Sequence, residues 1–526
     1  MQASLSPGAE GAAFPYEAAN PFGQEMGGWL PWIRSPDGEL DTFRDRMVAR
    51  SRDLVRNDGW AAGGIDRTLD NVVGAQFRLS AKPDWRALSR FDKAYDETWA
   101  NEFRTAAEAE WRMWAEDVNR WCDGTGVQTF AQMMHLALRH KLIDGAALGV
   151  LLWEPGNVGV GAARYATALQ MIDPDRLCNP YEAVDTASIR GGVEVDRGGR
   201  PIAYHIRRAE PYDWYLAVES MEWDRVVRQT PWGRPVVVHD FDRLRADQNN
   251  GITVFAPVMA RFKMLANYDR AEVQAALLQT IFSFFISSPY DPEDMRNALD
   301  AGGEEDRLRF YEGLRSQWHK GNPITAGGAR IPELFPGEKI ETVNASRPHS
   351  NFEAFEHAVL RNIAAATGNS AEQISLDYSK TNYSSARAAL IEMWKTMSRR
   401  RGDFTAGFPT PIYAGWLEEA VETRLQDVMP ANAAPFAEYR TAYSRSRWIG
   451  PGRGWVDPLK ERAGAVLGLD AGFSTLEQEC AEQGMDWEEN LDQRAREIDA
   501  MKKRGLPMPD WAGGSGPLAS KTERPE

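Results

Sequence analysis

GITVFAPVMARFKMLANYDRAEVQAALLQTIFSFFIS, residues 251–287, is the stretch on which the fold turns. Pro257 falls where the first turn of a helix would lie, a position at which a missing amide donor does no harm. Beyond it Val258, Phe262, Leu265, Val273, Leu277, Ile281 and Phe285 supply apolar positions, and almost no breaker interrupts the run before Ser287. At 1.5 Å per residue such a helix spans around 45 Å. Its most apolar part, 275–286, is broken by Gln279 and Ser283 and is too short to cross a bilayer.

Downstream, residues 288–350 read as a mixed insert, with an acidic helix near 307–318 and short strands between Gly and Pro (ITAGGARIPELFPGEKIETV, 324–343). A second helix, 352–366, is stopped by Gly368. An irregular polar segment, 369–383, leads into a third helix, 385–401, which Ser384 is placed to cap. Helical pattern resumes over 404–421, 456–503 forms a helical C-terminal unit, and 505–526 has the composition of a tail.

Upstream, residues 1–38 are rich in Gly, Pro and Ala and read as an arm. A helix starts after Asp41, with Phe43, Met47 and Leu54 at helical spacing, and Asn57-Asp58-Gly59 breaks it. A short helix over 65–69 and a strand beginning at Val72-Val73-Gly74 follow. From Trp85 to Trp121 the aromatics Phe91, Tyr95, Trp99, Phe103, Trp111, Trp114 and Trp121 make a stripe suited to a helical core. Residues 130–142 continue helical, 147–153 and 236–239 read as strands, and 189–206 alternates about Asp196-Arg197-Gly198-Gly199 as a β-hairpin. The fold class is therefore α+β, mostly helical. A long helix, an insert and a returning helix describe a protrusion, which suits a ring subunit with a stem better than an enzyme.

Composition excludes several classes. Forty-three per cent hydrophobic and 26% charged residues are ordinary for a folded chain. The N-terminus has neither the basic nor the apolar region of a secretory signal. Cys122, Cys178 and Cys480 lie far apart without metal-site spacing, as expected of a reducing compartment. A net charge of −15 argues against a protein that grips nucleic acid over its whole surface, although a polyanion can slide past such a wall. Nineteen tryptophans suit either buried cores or extensive interfaces.

No catalytic constellation emerges. The phosphate-cradling G-x-x-x-x-G-K-[ST] loop of an ATP-driven motor is missing, and Gly472-Phe473-Ser474-Thr475-Leu476 lacks the last glycine of a nucleophile elbow. Gly159 and Gly161 lack the third glycine of a dinucleotide loop. His135 and His140, five apart, do not share a helical face. The expectation is no catalytic residue, no metal and no cofactor.

NYSSARAALIEMWKTMSRRR (382–401) resembles the stretch of lambda-type phage portal proteins in which Tyr-Ser-Ser-X-Arg opens a helix with a basic end. RMVARSRDLVRND followed by NVVG is similar to the family's N-terminal helix and strand. DFDRLRADQNNGITVFAPVMARFKMLANYDRAE resembles its entry into the long helix, departing at Ala246-Asp247 and at Asn250, where the family usually has Arg. GWVDPLKERAGAVLGLDAGFSTLEQECAEQGMDWEE resembles its C-terminal block with an Asp-Pro-x-Lys-Glu core. The four lie in family order from about residue 40 to 505.

The resemblance implies a portal fold with wing, stem, clip and crown, arranged as a ring subunit. It implies an N-terminal arm (1–38), a wing (39–251), a stem helix (252–287), a clip (288–349) and a second stem helix (350–367). A tunnel loop (368–384), a spine helix with its return to the wing (385–455), a crown (456–505) and a flexible tail (506–526) complete it. Function follows as an expectation: a homo-oligomeric ring, twelve-membered, at one capsid vertex, conducting double-stranded DNA during packaging and ejection. Expected partners are the terminase large subunit, head-to-tail connector proteins, and major capsid and scaffold proteins. No membrane is involved, and the protein is placed in the virion and, during assembly, in the host cytoplasm. Tyr378, Lys380, Asn382 and Arg387 are expected to face DNA. Ile324, Arg330, Glu333 and Phe335 would dock terminase or connectors, and Phe262, Leu277 and Phe285 would pack stems of adjacent subunits. Arg399-Arg400-Arg401 reads as a solvated helix end whose cations complement the C-terminal dipole. Two other classes compete: another head or connector protein of a phage particle, and a soluble enzyme with an unrecognised site.

Overall fold

Helix Pro36–Asn57 begins earlier than its apolar spacing suggests, because Pro36 sits at its first position and the Ser35 hydroxyl accepts from the Gly38 amide at 3.2 Å. The computed structural model describes residues 18, 20, 28–210, 213–281, 285–287, 313, 314, 316–318, 339–341, 352–379, 381–452 and 457–507. These form a mostly helical α+β chain of two compact units. One takes the described residues up to Arg52, Leu69–Val254 and those from Met397 on; the other takes Asp53–Thr68 and Phe255–Thr396.

In the first unit, strand Ala146–Trp153 is buried along most of its length, as its continuous apolar run requires of a central strand. Thr167–Ile172 and Val237–Phe241 pair with it on either side, both antiparallel. A four-stranded antiparallel sheet contains the hairpin Val193–Val195 with Pro201–Arg207. Its turn closes where expected: the Asp196 carboxylate accepts from the amides of Gly198 and Arg200, and Gly199 adopts φ +76°. Gly251 meets Gly145 so closely that a Cβ would lie 1.8 Å from the Gly145 carbonyl oxygen, so no larger residue fits.

The aromatic stripe is core. Trp111 packs against Phe130 (centroids 4.8 Å apart), Trp416 (5.0 Å) and Tyr413 (5.5 Å), in the edge-on arrangement that ring quadrupoles favour. Trp114 and Trp99 donate their indole N–H groups to the carbonyls of Thr167 and Val428. Phe91 remains exposed and Trp121 half-buried. Strand Arg78–Ala81 pairs antiparallel with Ser446–Ile449, joining distant parts of the chain. Val72-Val73-Gly74 does not begin it. Helix Gly59–Val72 ends there, and the amides of Val73 and Gly74 both donate to the Leu69 carbonyl.

In the second unit the long run is shorter than read. The helix is Met259–Ile281, and Phe285–Ser287 is a strand paired antiparallel with Lys339–Glu341. Val254, still in the first unit, gives its amide to the Leu142 carbonyl, and the bonds from Val258 to Phe255 and from Arg261 to Val258 span only three residues, so the α-helix starts late. At the other end an aromatic and β-branched cluster finds a strand partner. Helix Phe352–Thr367 packs on the long helix, with Tyr268 stacked on Phe352 at 5.4 Å.

Candidate functional site

The expected site is the link between helices Phe352–Thr367 and Tyr383–Gly407. Gly368, at φ +75°, ends the first helix in the left-handed region and donates to the Ala364 carbonyl at 2.8 Å. Asn369 then anchors the link. Its side-chain amide is buried and donates to the Gly64 carbonyl and the Thr68 hydroxyl, both at 3.2 Å. Ser370 and Gln373 close a capping box on the short helix Ala371–Ser375, so the segment read as irregular holds one helical turn.

Past Ile374 the chain leaves the core. Leu376 takes φ +55° with its side chain largely exposed, an unusual conformation for a residue with a branched apolar side chain. The Asp377 carboxylate accepts from the Ser379 amide at 2.9 Å, and Thr381 donates to the Tyr378 carbonyl at 3.1 Å. Asn382, not Ser384, caps the next helix: its side-chain oxygen accepts from the Ser385 amide at 2.9 Å. Ser384 is already inside the first turn. The arrangement is an exposed polar turn held at both ends by asparagine side chains.

Of the residues expected to face DNA, Tyr378 and Asn382 lie exposed on this turn, and Arg387 is half-buried on the helix after it. Lys380 lies outside the described residues, as do Ile324, Arg330, Glu333 and Phe335. Leu277 is exposed on the long helix. Phe262 is fully buried within the chain, edge-on to Phe255 at 5.4 Å, so it offers no surface to an adjacent subunit. Phe285 falls in the short strand, not on a helix.

The basic run corrects its reading, because the helix continues to Gly407. Arg399 pairs with Asp403 at 3.0 Å. Arg400 is held below the usual arginine range by burial. Arg401 donates to the carbonyls of Asn71, Val72 and Pro451, and burial pushes its pKa down to about 10. The dipole it complements is that of helix Gly59–Val72, a partner no local spacing reveals.

Elsewhere in the first unit, Arg52 gathers Asp144, Asp173 and Asp175 at 2.7–2.8 Å, and Lys141 lies buried between Asp240 and Asp242. Burial pushes the Cys122 thiol up to about 12, far from a reactive thiolate. Among the described residues no three His, Cys, Asp or Glu side chains are grouped to hold a metal, and no helix is long and apolar enough to cross a membrane.

Comparison with known proteins gives consistent matches. A family model described as phage portal protein, lambda family, matches residues 22–401. The portal protein of Escherichia phage N15 is 31% identical over 497 residues, covering 94% of this chain and 91% of that protein. Portal protein B of Escherichia phage lambda is 32% identical with the same coverage. Among solved structures, a chain of the native gene transfer agent virion aligns with TM-score 0.44 at 13% identity, covering 84% of this chain and 93% of that one. An HK97-family phage portal protein from Corynebacterium diphtheriae aligns with TM-score 0.25 at 12% identity, covering 54% and 76%.

Proposed function

The chain belongs to the lambda family of phage portal proteins, structural and non-enzymatic components of the virion, and on that premise we propose that it forms a twelve-membered ring at one capsid vertex. The ring conducts double-stranded DNA inward during packaging and outward during ejection. The observation that carries this reading is the exposed stretch 376–379 with Asn382, lying between two helices and anchored through Asn369 and Asn382. Exposed side chains on a base held by hydrogen bonds to Gly64, Thr68 and Ser385 suit a tunnel-lining loop. The net charge of −15 per subunit supports it, because an acidic wall gives a moving polyanion few phosphate contacts on which to stick.

In this reading the helix Met259–Ile281 and the helix Phe352–Thr367 are the stem. Leu277 contributes to packing between subunits. The insert 288–349, with Ile324, Arg330, Glu333 and Phe335, is the clip that docks the terminase large subunit and later the connectors. Tyr378, Lys380, Asn382 and Arg387 border the passage, and residues 456–505 form the crown inside the shell. Capsid and scaffold proteins surround the wing.

Electron microscopy of the purified protein tests the proposal. Rings with a central hole are expected without nucleotide or metal. A stable monomer at micromolar concentration, by microscopy and light scattering, overturns it.

A further inference from the structure

Three helices, Pro458–Asp470, Leu476–Glu482 and Trp487–Arg504, end the described chain. Among their described residues, 457–507, Cys480 alone is buried, while Leu459, Leu467 and Phe473 are exposed. This segment therefore does not rest on the rest of its unit through an apolar core. Charge takes that place. Glu489 pairs with Arg78 at 2.8 Å and with Arg112 at 3.4 Å, and Glu488 pairs with Arg104. Glu477 pairs with Lys82 at 3.0 Å and with Arg447 at 3.6 Å.

The five cations form one strip. Arg78, Lys82 and Arg447 belong to the paired strands Arg78–Ala81 and Ser446–Ile449 or their immediate continuation, and Arg104 and Arg112 to helix Glu97–Ala115. Most stand out from the strongly acidic balance of the chain by being half-exposed beneath carboxylates. A cleft of about 450 Å³ opens at this strip, lined by Arg78, Arg112, Asp486 and Glu489 among others. Close backbone contacts differ in kind: a Cβ on Gly452 would lie 2.6 Å from the Gln483 carbonyl carbon, and one on Gly484 would lie 2.9 Å from the Gly450 carbonyl oxygen.

We infer that the strip Arg78, Lys82, Arg104, Arg112 and Arg447 is a binding surface for the phosphate backbone of duplex DNA, occluded by Glu477, Glu488 and Glu489 of the C-terminal helices. Three carboxylates stand where phosphates would stand. Exposed ion pairs are individually weak and screened by salt, so a dense polyanion competes with them directly. Arginine and lysine at this density neutralise several phosphates at once, with release of counterions. The C-terminal helices are then a cover that yields to DNA by turning about the Gly452–Gln483 contact. The choice of DNA as the polyanion rests on the function proposed above. Ring formation is scored separately by microscopy, so failure of one is distinguishable from failure of the other.

The test uses the full chain carrying Glu477→Gln, Glu488→Gln and Glu489→Gln, with fluorescence anisotropy of a labelled 30-base-pair duplex over a salt series. The triple variant should bind at least about tenfold tighter than the parent at low salt, with a slope of log K against log salt of about −4 to −5, roughly −0.9 per cation. A second variant, Glu482→Gln, Asp492→Asn and Asp499→Asn, removes the same charge from side chains not paired with the strip and should bind like the parent. Adding Arg78→Gln and Arg112→Gln to the first variant should abolish its gain. An equal gain in the second variant, or a gain that survives loss of the two arginines, overturns the inference, as does no gain in a first variant whose circular dichroism matches the parent.

Discussion

Arg401 caps a helix to which it does not belong: its Nε donates to the Val72 carbonyl at 3.0 Å, at the C-terminal end of Gly59–Val72. The same guanidinium reaches the carbonyls of Asn71 and Pro451. A planar fork serves several carbonyls at fixed angles, which a point ammonium cannot do. Arg401→Met should therefore cost about 2–4 kcal/mol, since it strands partly buried carbonyls that had a charged donor. Arg401→Lys should recover less than half of the loss. Denaturant titration of both variants checks this, and a Lys variant as stable as the parent would rule the fork out.

Asp41 gives a dependence on pH. Burial, and then the neighbouring Asp185 and Asp37, raise its carboxyl to about 8. The folded chain keeps this proton up to about pH 8, whereas the unfolded chain releases it near pH 4. The stability it contributes is complete below about pH 4 and drains away as pH climbs through 8. Asp41→Asn, which cannot ionise, should flatten the fall in thermal midpoint between pH 6 and 9 and leave the variant more stable than the parent at pH 9. Matching pH profiles for variant and parent would show that the carboxyl ionises without cost.

Lys380 tests the proposed passage. A ring of such lysines in an acidic wall would hold packaged DNA by weak phosphate contacts, screened within about 10 Å at 0.1 M salt. Lys380→Glu should leave folding and ring formation unchanged but lower retention of packaged DNA, most at low salt. Full retention across a salt series would remove Lys380 from the DNA path.

Deletion of residues 327–337 tests the insert. Rings should still form, and packaging should be lost. Loss of rings together with retained terminase binding by the monomer would reverse the assignment.

What could be read from the sequence is what is decided locally. The turn at Asp196–Gly199 closes through bonds between residues four apart or fewer, and the aromatic stripe needs only its own helical spacing to become core. The stop at Gly368 is equally local. Long-range partnerships left no such mark. Nothing beside Asn369 announces Thr68, and nothing beside Arg401 announces Val72. Phe285–Ser287 continues a helical pattern until Lys339–Glu341 claims its backbone. At the turn itself, Ser384 is the better cap by position and Asn382 by geometry, because the helix starts two residues sooner. Leu376 gives no hint of positive φ, a conformation that composition assigns to Gly or Asn.

The pairing of Arg78–Ala81 with Ser446–Ile449 has a consequence for biosynthesis. An emerging chain makes its first strand early and must wait until nearly all of its length has left the ribosome before the partner exists. At 5–20 residues per second that wait is on the order of tens of seconds. Throughout it, an unpaired strand edge and the aromatic side chains that Trp448 later covers, Phe77, Trp111 and Phe130, stay open to aggregation. A rare-codon pause anywhere between residues 82 and 445 lengthens that exposure and should lower the yield of soluble subunit, whereas one before residue 78 should not.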